Sequence, residues 1–411
     1  MQNTPQANRL HIAILGRRNA GKSSLINALT NQDLAVVSKV AGTTTDPVYK
    51  RMEILPIGPV VVIDTAGIDD TGELGDLRVK KTKEVLGRTD LAVLVIDPEL
   101  GIDEYEQELL QEIKDRDIPV VGVINKEDKF EEIDVAEFNE ELGMELIAVS
   151  AKEGTNIEKL KKEIIIKAPE KFEEPHIIGD LIEPEETVIL VVPIDAAAPK
   201  GRLILPQMQT LRDVLDNDGQ AVVVKETELE SSLNGLKDDP GIVVTDSQAF
   251  KEVSSQVPKR ITLTGFSVLY ARYKGDLEIL IRGVRGLEKL QAGDQVLIAE
   301  SCTHNRTHED IGTVKIPNWL QDMVGGELRF DHVAGREFSD ELEKYDLIVH
   351  CGGCMTNRKE ILYRIKKADS LGVPVVNYGM LIAYIHGILD RALEPFPVAK
   401  EIWEENKNDL S

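Results

Sequence analysis

The stretch RLHIAILGRRNAGKSSLINALT, residues 9–30, decides the fold. A β-branched apolar run leads into Gly16-Arg17-Arg18-Asn19-Ala20-Gly21-Lys22-Ser23, and a helical pattern follows. The spacing fits G-x-x-x-x-G-K-S/T, set between a strand and a helix as that motif requires. Its glycines let backbone N–H groups close around phosphate oxygens, and the helix N-terminus adds a favourable dipole. Lys22 offers a point charge to β- and γ-phosphates, and the Ser23 hydroxyl can ligate Mg2+. Gly16, Asn19, Ala20, Gly21 and Ser24 complete the phosphate cradle.

Working outward, PVVVIDTAG (59–67), DLAVLVID (90–97), IPVVGVIN (118–125) and ELIAVS (145–150) are further runs of strand length with helical patterns between most of them. Such runs fit strands covered on both faces, as in a doubly wound, mostly parallel sheet. Three strand ends select the nucleotide. Asp64 can hold Mg2+ through water, and the N–H of Gly67 can meet a γ-phosphate. In Asn125-Lys126-Glu127-Asp128, the acceptor-only carboxylate of Asp128 matches the N1–H and 2-amino donors of guanine, a pair adenine lacks. In Ser150-Ala151-Lys152, a backbone N–H can contact the guanine oxygen. All lie at carboxyl ends of strands, where open α/β sheets bind ligands.

Residues 169–187 mix prolines, acids and glycines without period and read as a linker after a domain spanning 1–168. Strands TVILVVPID, GQAVVVKE and GIVVTD, with a helix PQMQTLRDVLDNDG ended by Gly219, outline a small α/β domain over 188–257. It has no catalytic constellation; its polar residues read as solvated surface, and a subunit contact is its expected use. A third α/β region, 258–411, holds all three cysteines: DQVLIAE (294–300) runs into Ser301-Cys302-Thr303-His304, and DLIVH (346–350) into Cys351-Gly352-Gly353-Cys354. Two thiols with two residues between them can turn around one metal, and a third from another strand end completes a three-thiolate face. Spacing alone leaves two metals open. Three cysteines with His304 or His350 would close a tetrahedral zinc site; alternatively a [4Fe–4S] cluster would have three irons on Cys302, Cys351 and Cys354.

Composition bounds the rest. With 48 basic and 72 acidic residues the net charge is −24, which opposes general binding to nucleic acid or anionic membranes. The start lacks the apolar run of a secretory signal, no stretch approaches a membrane span, and three cysteines make no disulfide framework. A cytoplasmic protein is the expectation.

Residues 9–165 resemble translation-factor-related small GTPases of the subgroup that includes tRNA-modification and ribosome-assembly enzymes. That resemblance aligns Thr44 of Gly42-Thr43-Thr44-Thr45-Asp46 with the Mg2+-ligating switch threonine. It makes Asn19 the holder of an activating K+ that neutralises transition-state charge; Lys22, Thr44 and Asn19 are the implied catalytic set. Ile68 stands after Asp64-Thr65-Ala66-Gly67, where a water-orienting glutamine occurs in Ras-type enzymes, so slow hydrolysis is expected.

A GTPase domain followed by C-x-H…H-C-x-x-C is similar, over essentially the whole chain, to the [FeFe]-hydrogenase maturation GTPase (HydF) family. The resemblance implies three domains: GTPase, dimerisation and cluster-binding. It also breaks the tie between metals: a [4Fe–4S] cluster on the three cysteines, with His304 or His350 as candidate fourth ligand. It further implies a homodimer or higher oligomer that accepts a two-iron precursor with CO, cyanide and dithiolate ligands from two radical-SAM maturases and delivers it to apo-[FeFe]-hydrogenase. Asn305 and Arg306 are candidate residues of the cluster pocket, and basic Arg306 is the candidate to meet that anionic cargo. The alternative is a K+-dependent GTPase of RNA modification or ribosome assembly with a structural zinc domain.

Overall fold

The computed structural model describes residues 9–30, 48–65, 82–169, 175–194, 201, 203–301, 310–335, 338 and 341–408. The chain divides into two compact units, 1–172 and 173–411.

The first unit is built on six strands: β1 (Leu10–Leu15), β2 (Val48–Ile54), β3 (Gly58–Asp64), β4 (Leu91–Ile96), β5 (Val120–Ile124) and β6 (Leu146–Ala148), in the order β2-β3-β1-β4-β5-β6. All pairs are parallel except β2 with β3. Because side chains alternate along a strand, β1 feeds two cores. Leu10, Ile12 and Ile14 join Val93, Val95, Val121 and Val123 on one face, whereas Ala13 and Leu15 join Ala92, Leu94 and Ile96 on the other. Helices therefore cover both faces, and the phosphate loop emerges at the carboxyl edge between β1 and the helix Lys22–Thr30.

The second unit holds two wholly parallel sheets. One comprises β7 (Thr187–Val191), β8 (Gln220–Val224), β9 (Ile242–Thr245) and β10 (Thr262–Gly265), ordered β10-β9-β7-β8; the other comprises β11 (Gln295–Glu300), β12 (Arg329–Ala334), β13 (Leu347–His350) and β14 (Val375–Asn377), ordered β12-β11-β13-β14. Their apolar faces share one continuous core. Together with the first unit they make the three-part α/β layout expected.

Two readings of the middle region change. The helix there is Leu205–Asp216, with Pro206 in its first turn where a missing N–H costs nothing. It stops before Gly219. Asp218 takes the left-handed conformation (φ +59°), and Gly219 instead makes room: a Cβ on it would lie 2.7 Å from Ile182 and 2.9 Å from Val214. Nor are the polar residues there all solvated, because Gln207, Thr210 and Thr245 are buried.

The helix Leu277–Lys289 lies so close to β14 that a Cβ on Gly283 would sit 1.9 Å from the Val375 carbonyl oxygen. Backbone cannot yield as a side chain can. Gly283→Ala is expected to destabilise this unit by at least about 1–3 kcal/mol, read as a lower thermal midpoint in calorimetry.

Candidate nucleotide site and candidate metal centre

The phosphate loop wraps around its own lysine. Lys22 Nζ donates to the carbonyl oxygens of Gly16 (2.8 Å) and Arg17 (2.6 Å), and the side chain is buried. Asn19 is exposed and left-handed at φ +60°, presenting its side chain at the loop surface. Gly21 has φ +87°, and a Cβ there would lie 2.2 Å from the Asn125 amide nitrogen, so no other residue fits without displacing Asn125. Ser23 Oγ donates to Asp64 Oδ2 at 2.7 Å. These are the two groups expected to share Mg2+, already in register at the ends of their elements. Ser24 is exposed beside them.

The residues expected to read the base are tied into the same lattice. Buried Asn125 donates Nδ2 to the Ala20 carbonyl (2.9 Å) and accepts from the Ala151 N–H at Oδ1 (3.1 Å), joining three separate segments. Ser150 Oγ donates to Asp128 Oδ1 at 2.6 Å, and Lys152 Nζ lies 3.6 Å from Asp128 Oδ2. The Ser150 hydrogen bond, aided by Lys152, holds the Asp128 carboxyl below the usual carboxylate range, so it is a permanent acceptor at neutral pH. Lys126, left-handed at φ +67°, pairs with buried Asp97 at the end of β4. Asp97 had only its strand-end position to mark it in the sequence. Thr44 and Gly67, with Gly42, Thr43, Thr45, Asp46, Ala66 and Ile68, lie outside the described residues.

The second constellation forms where β11 and β13 end side by side. Cys351 follows β13 directly, its N–H donating to Ala299 of β11 at 2.9 Å. Its Sγ accepts the N–H of Ser301 at 3.1 Å. Ser301 is the residue before Cys302; Cys302, His304, Asn305 and Arg306 lie outside the described residues. Gly353 (φ +61°) turns the chain from Cys351 to Cys354. Burial pushes the Cys354 thiol up, and the neighbouring Cys351 adds to the shift. A cation shared by the two sulfurs would remove both penalties, so the donor set suits a thiophilic metal or cluster.

His350, the last residue of β13, is fully buried. Its Nδ1 lies 2.7 Å from the Cys351 carbonyl, which only accepts, so Nδ1 carries the proton and Nε2 keeps its lone pair. That Nε2 is buried without a hydrogen-bond partner. Burial, then the nearby Arg364 charge, lowers the imidazole to about 4, keeping it neutral. Three residues behind the cysteines carried no sequence signal. Glu300 accepts from Tyr378 Oη at 3.2 Å, and Lys274, buried with its ammonium 5.0 Å from the Tyr273 ring centre, acts on the Cys354 thiol. Each becomes visible only once the strands align. Among the described residues no group of three or more ligating side chains is assembled, and no helix is long and apolar enough to cross a membrane.

Comparisons with known proteins follow the same division. Residues 11–126 match the 50S ribosome-binding GTPase family, 177–275 the hydrogen maturase F dimerization domain, and 278–395 the hydrogen maturase F tetramerization domain. The tRNA modification GTPase MnmE of Aquifex aeolicus (strain VF5) is 38% identical over 164 residues, covering 40% of this chain and 35% of that protein. The Lactobacillus helveticus (strain DPC 4571) protein of that name is 37% identical over 156 residues, covering 38% and 33%. The chain thus spans about a third of the length of the curated relatives it matches. Among solved structures, the G domain of the T. maritima FeoB iron transporter is 25% identical, covering 39% of this chain and 100% of that one, with a TM-score of 0.32. Two hydrogen maturase F domains run almost without a gap from 177 to 395, more than half of the sequence, behind a GTPase domain: the chain belongs to the hydrogen maturase F family.

Proposed function

We propose that this protein is a GTP-hydrolysing scaffold that carries a [4Fe–4S] cluster on Cys302, Cys351 and Cys354. In this reading it accepts the two-iron precursor of the [FeFe]-hydrogenase active site from two radical-SAM maturases and delivers it to the apo-hydrogenase. The observation that carries it is the Ser301 N–H donated to Cys351 Sγ, because it brings the chain entering Cys302 onto the sulfur of the Cys351/Cys354 pair. Backbone N–H donation to sulfur stabilises thiolate charge, as a cluster ligand needs. When bound, the cluster supplies an iron without a protein thiolate, open to an exchangeable ligand. His350 offers Nε2 as a candidate fourth ligand, since Nδ1 is committed to the Cys351 carbonyl; His304 is the other candidate.

In the GTPase domain the loop N–H groups and Lys22 bind the phosphates, while Ser23, Thr44 and Asp64 hold Mg2+. Asn19 holds K+, and Asn125, Lys126, Asp128, Ser150, Ala151 and Lys152 shape the guanine pocket, with Gly67 at the γ-phosphate. Ile68 cannot orient water, so hydrolysis is slow and serves to time partner association. The dimerization and tetramerization domains fit a homo-oligomer, and free cysteines kept for a cluster fit the reducing cytoplasm.

Activation of a purified apo-[FeFe]-hydrogenase tests the carrier role. Protein loaded with the two-iron precursor is expected to switch on hydrogen evolution; loaded protein with an intact cluster that leaves the hydrogenase inactive would remove that role.

A further inference from the structure

The phosphate loop is also held from outside itself. Arg17 sends Nε to Glu106 Oε1 at 2.7 Å and Nη2 to Glu106 Oε2 at 2.8 Å, a two-pronged contact. It also pairs with Asp103, and its guanidinium sits 5.8 Å from the Tyr105 ring centre. The Glu106 side chain is only 2% exposed, so this pair is shielded as surface ion pairs are not. Its carboxylate is fixed from the other side too. Oε2 accepts the Asp103 N–H at 3.1 Å in the capping box that starts the helix Glu104–Asp115. The carboxylate therefore has little freedom, and the guanidinium fork matches it.

At its backbone end Arg17 does different work: its carbonyl oxygen receives Lys22 Nζ at 2.6 Å. Side chain and carbonyl belong to one residue, so fixing the first places the second. We propose that Glu106, acting through Arg17, is a positioning residue that sets where Lys22 and the loop N–H groups meet the nucleotide phosphates. Sequence separation is 89 residues, and nothing in the phosphate-loop motif specifies the residue type at this variable position. The inference rests on the GTP-binding reading above.

Fluorescent GDP and GTP affinities, with steady-state KM and kcat, test it on the full chain. Arg17→Met and Glu106→Gln are each expected to raise nucleotide Kd and KM by about 10- to 100-fold, a larger change than any fall in kcat at saturating GTP. The double variant is expected to bind as weakly as the single ones and no more weakly, because both break the same contact. Arg17→Lys is expected to recover only part of the loss, since an ammonium cannot form the fork. A merely structural pair would behave otherwise: the folded fraction and apparent kcat would fall while KM stayed put, or the double variant would regain affinity along with stability. Either result overturns the inference. Should Glu106→Gln fail to fold, the double variant, with neither charge left buried, carries the comparison against Arg17→Met. A wild-type protein that binds no GTP would instead defeat the functional reading.

Discussion

Asp128→Asn is expected to lower GTP affinity by about 10³-fold or more and to move base preference from guanine to xanthine. A polar site whose hydrogen-bonding partner is lost discriminates by about 10⁴–10⁵. The carboxylate is acceptor-only, fixed by Ser150 Oγ at 2.6 Å and kept ionised by that bond and by Lys152. Guanine presents two donors to it, N1–H and the 2-amino group. An amide facing the same edge must turn one of its own donors toward the 2-amino group, which cannot accept. Xanthine carries a carbonyl at that position, which can. The backbone remains undisturbed, because the asparagine oxygen can still accept from Ser150 Oγ. Titration calorimetry with GTP and XTP checks this, and GTP binding within threefold of wild type would show that Asp128 does not read the base.

Cys351→Ser and Cys354→Ser are each expected to abolish stable iron binding, with Cys302→Ser doing the same. A hydroxyl is a hard, weakly acidic donor that does not replace a thiolate on iron. At Cys351 the Sγ that accepts the Ser301 N–H, the contact that gathers the two strand ends, gives way to a smaller, harder oxygen on a shorter bond. At Cys354 the effect is on charge: burial and the Cys351 sulfur oppose a free thiolate there, so only the metal makes the ionised state favourable. Iron and sulfide content after anaerobic reconstitution reads all three variants, with circular dichroism confirming that the fold persists. Full iron retention in any one would remove that residue from the ligand set.

How much of this was legible in the sequence depends on where each element sits in its sheet. β1, β4 and β5 are covered on both faces and read as unbroken apolar runs, as do β7, β9 and β13. β2, β10 and β12 escaped, and each is an edge. VYKRMEI carries Lys50, Arg51 and Glu53, and RFDHVA carries Arg329, Asp331 and His332; such charges protect an open edge and blur its pattern. β10, TLTG, has two threonines and a glycine in its four residues, so no apolar run marks it. Site legibility follows a similar rule. The phosphate loop and Cys351/Cys354 are contiguous, so spacing encodes them. Arg17 with Glu106, Lys126 with Asp97, and Glu300 with Tyr378 depend on strand order, which no local window contains. Asn125 shows the limit from another side: its motif marks it for the nucleotide site, yet its amide is spent joining Ala20 to Ala151.

Thiolates of this chain gripping iron are what the proposed function requires. Metal analysis with EPR spectroscopy of the wild-type protein, purified without oxygen, tests that most directly. About four irons and four sulfides per chain, brown colour and a reduced [4Fe–4S] signal that disappears in the cysteine variants are the predicted result. A colourless protein with one zinc bound tetrahedrally by the same cysteines would contradict it.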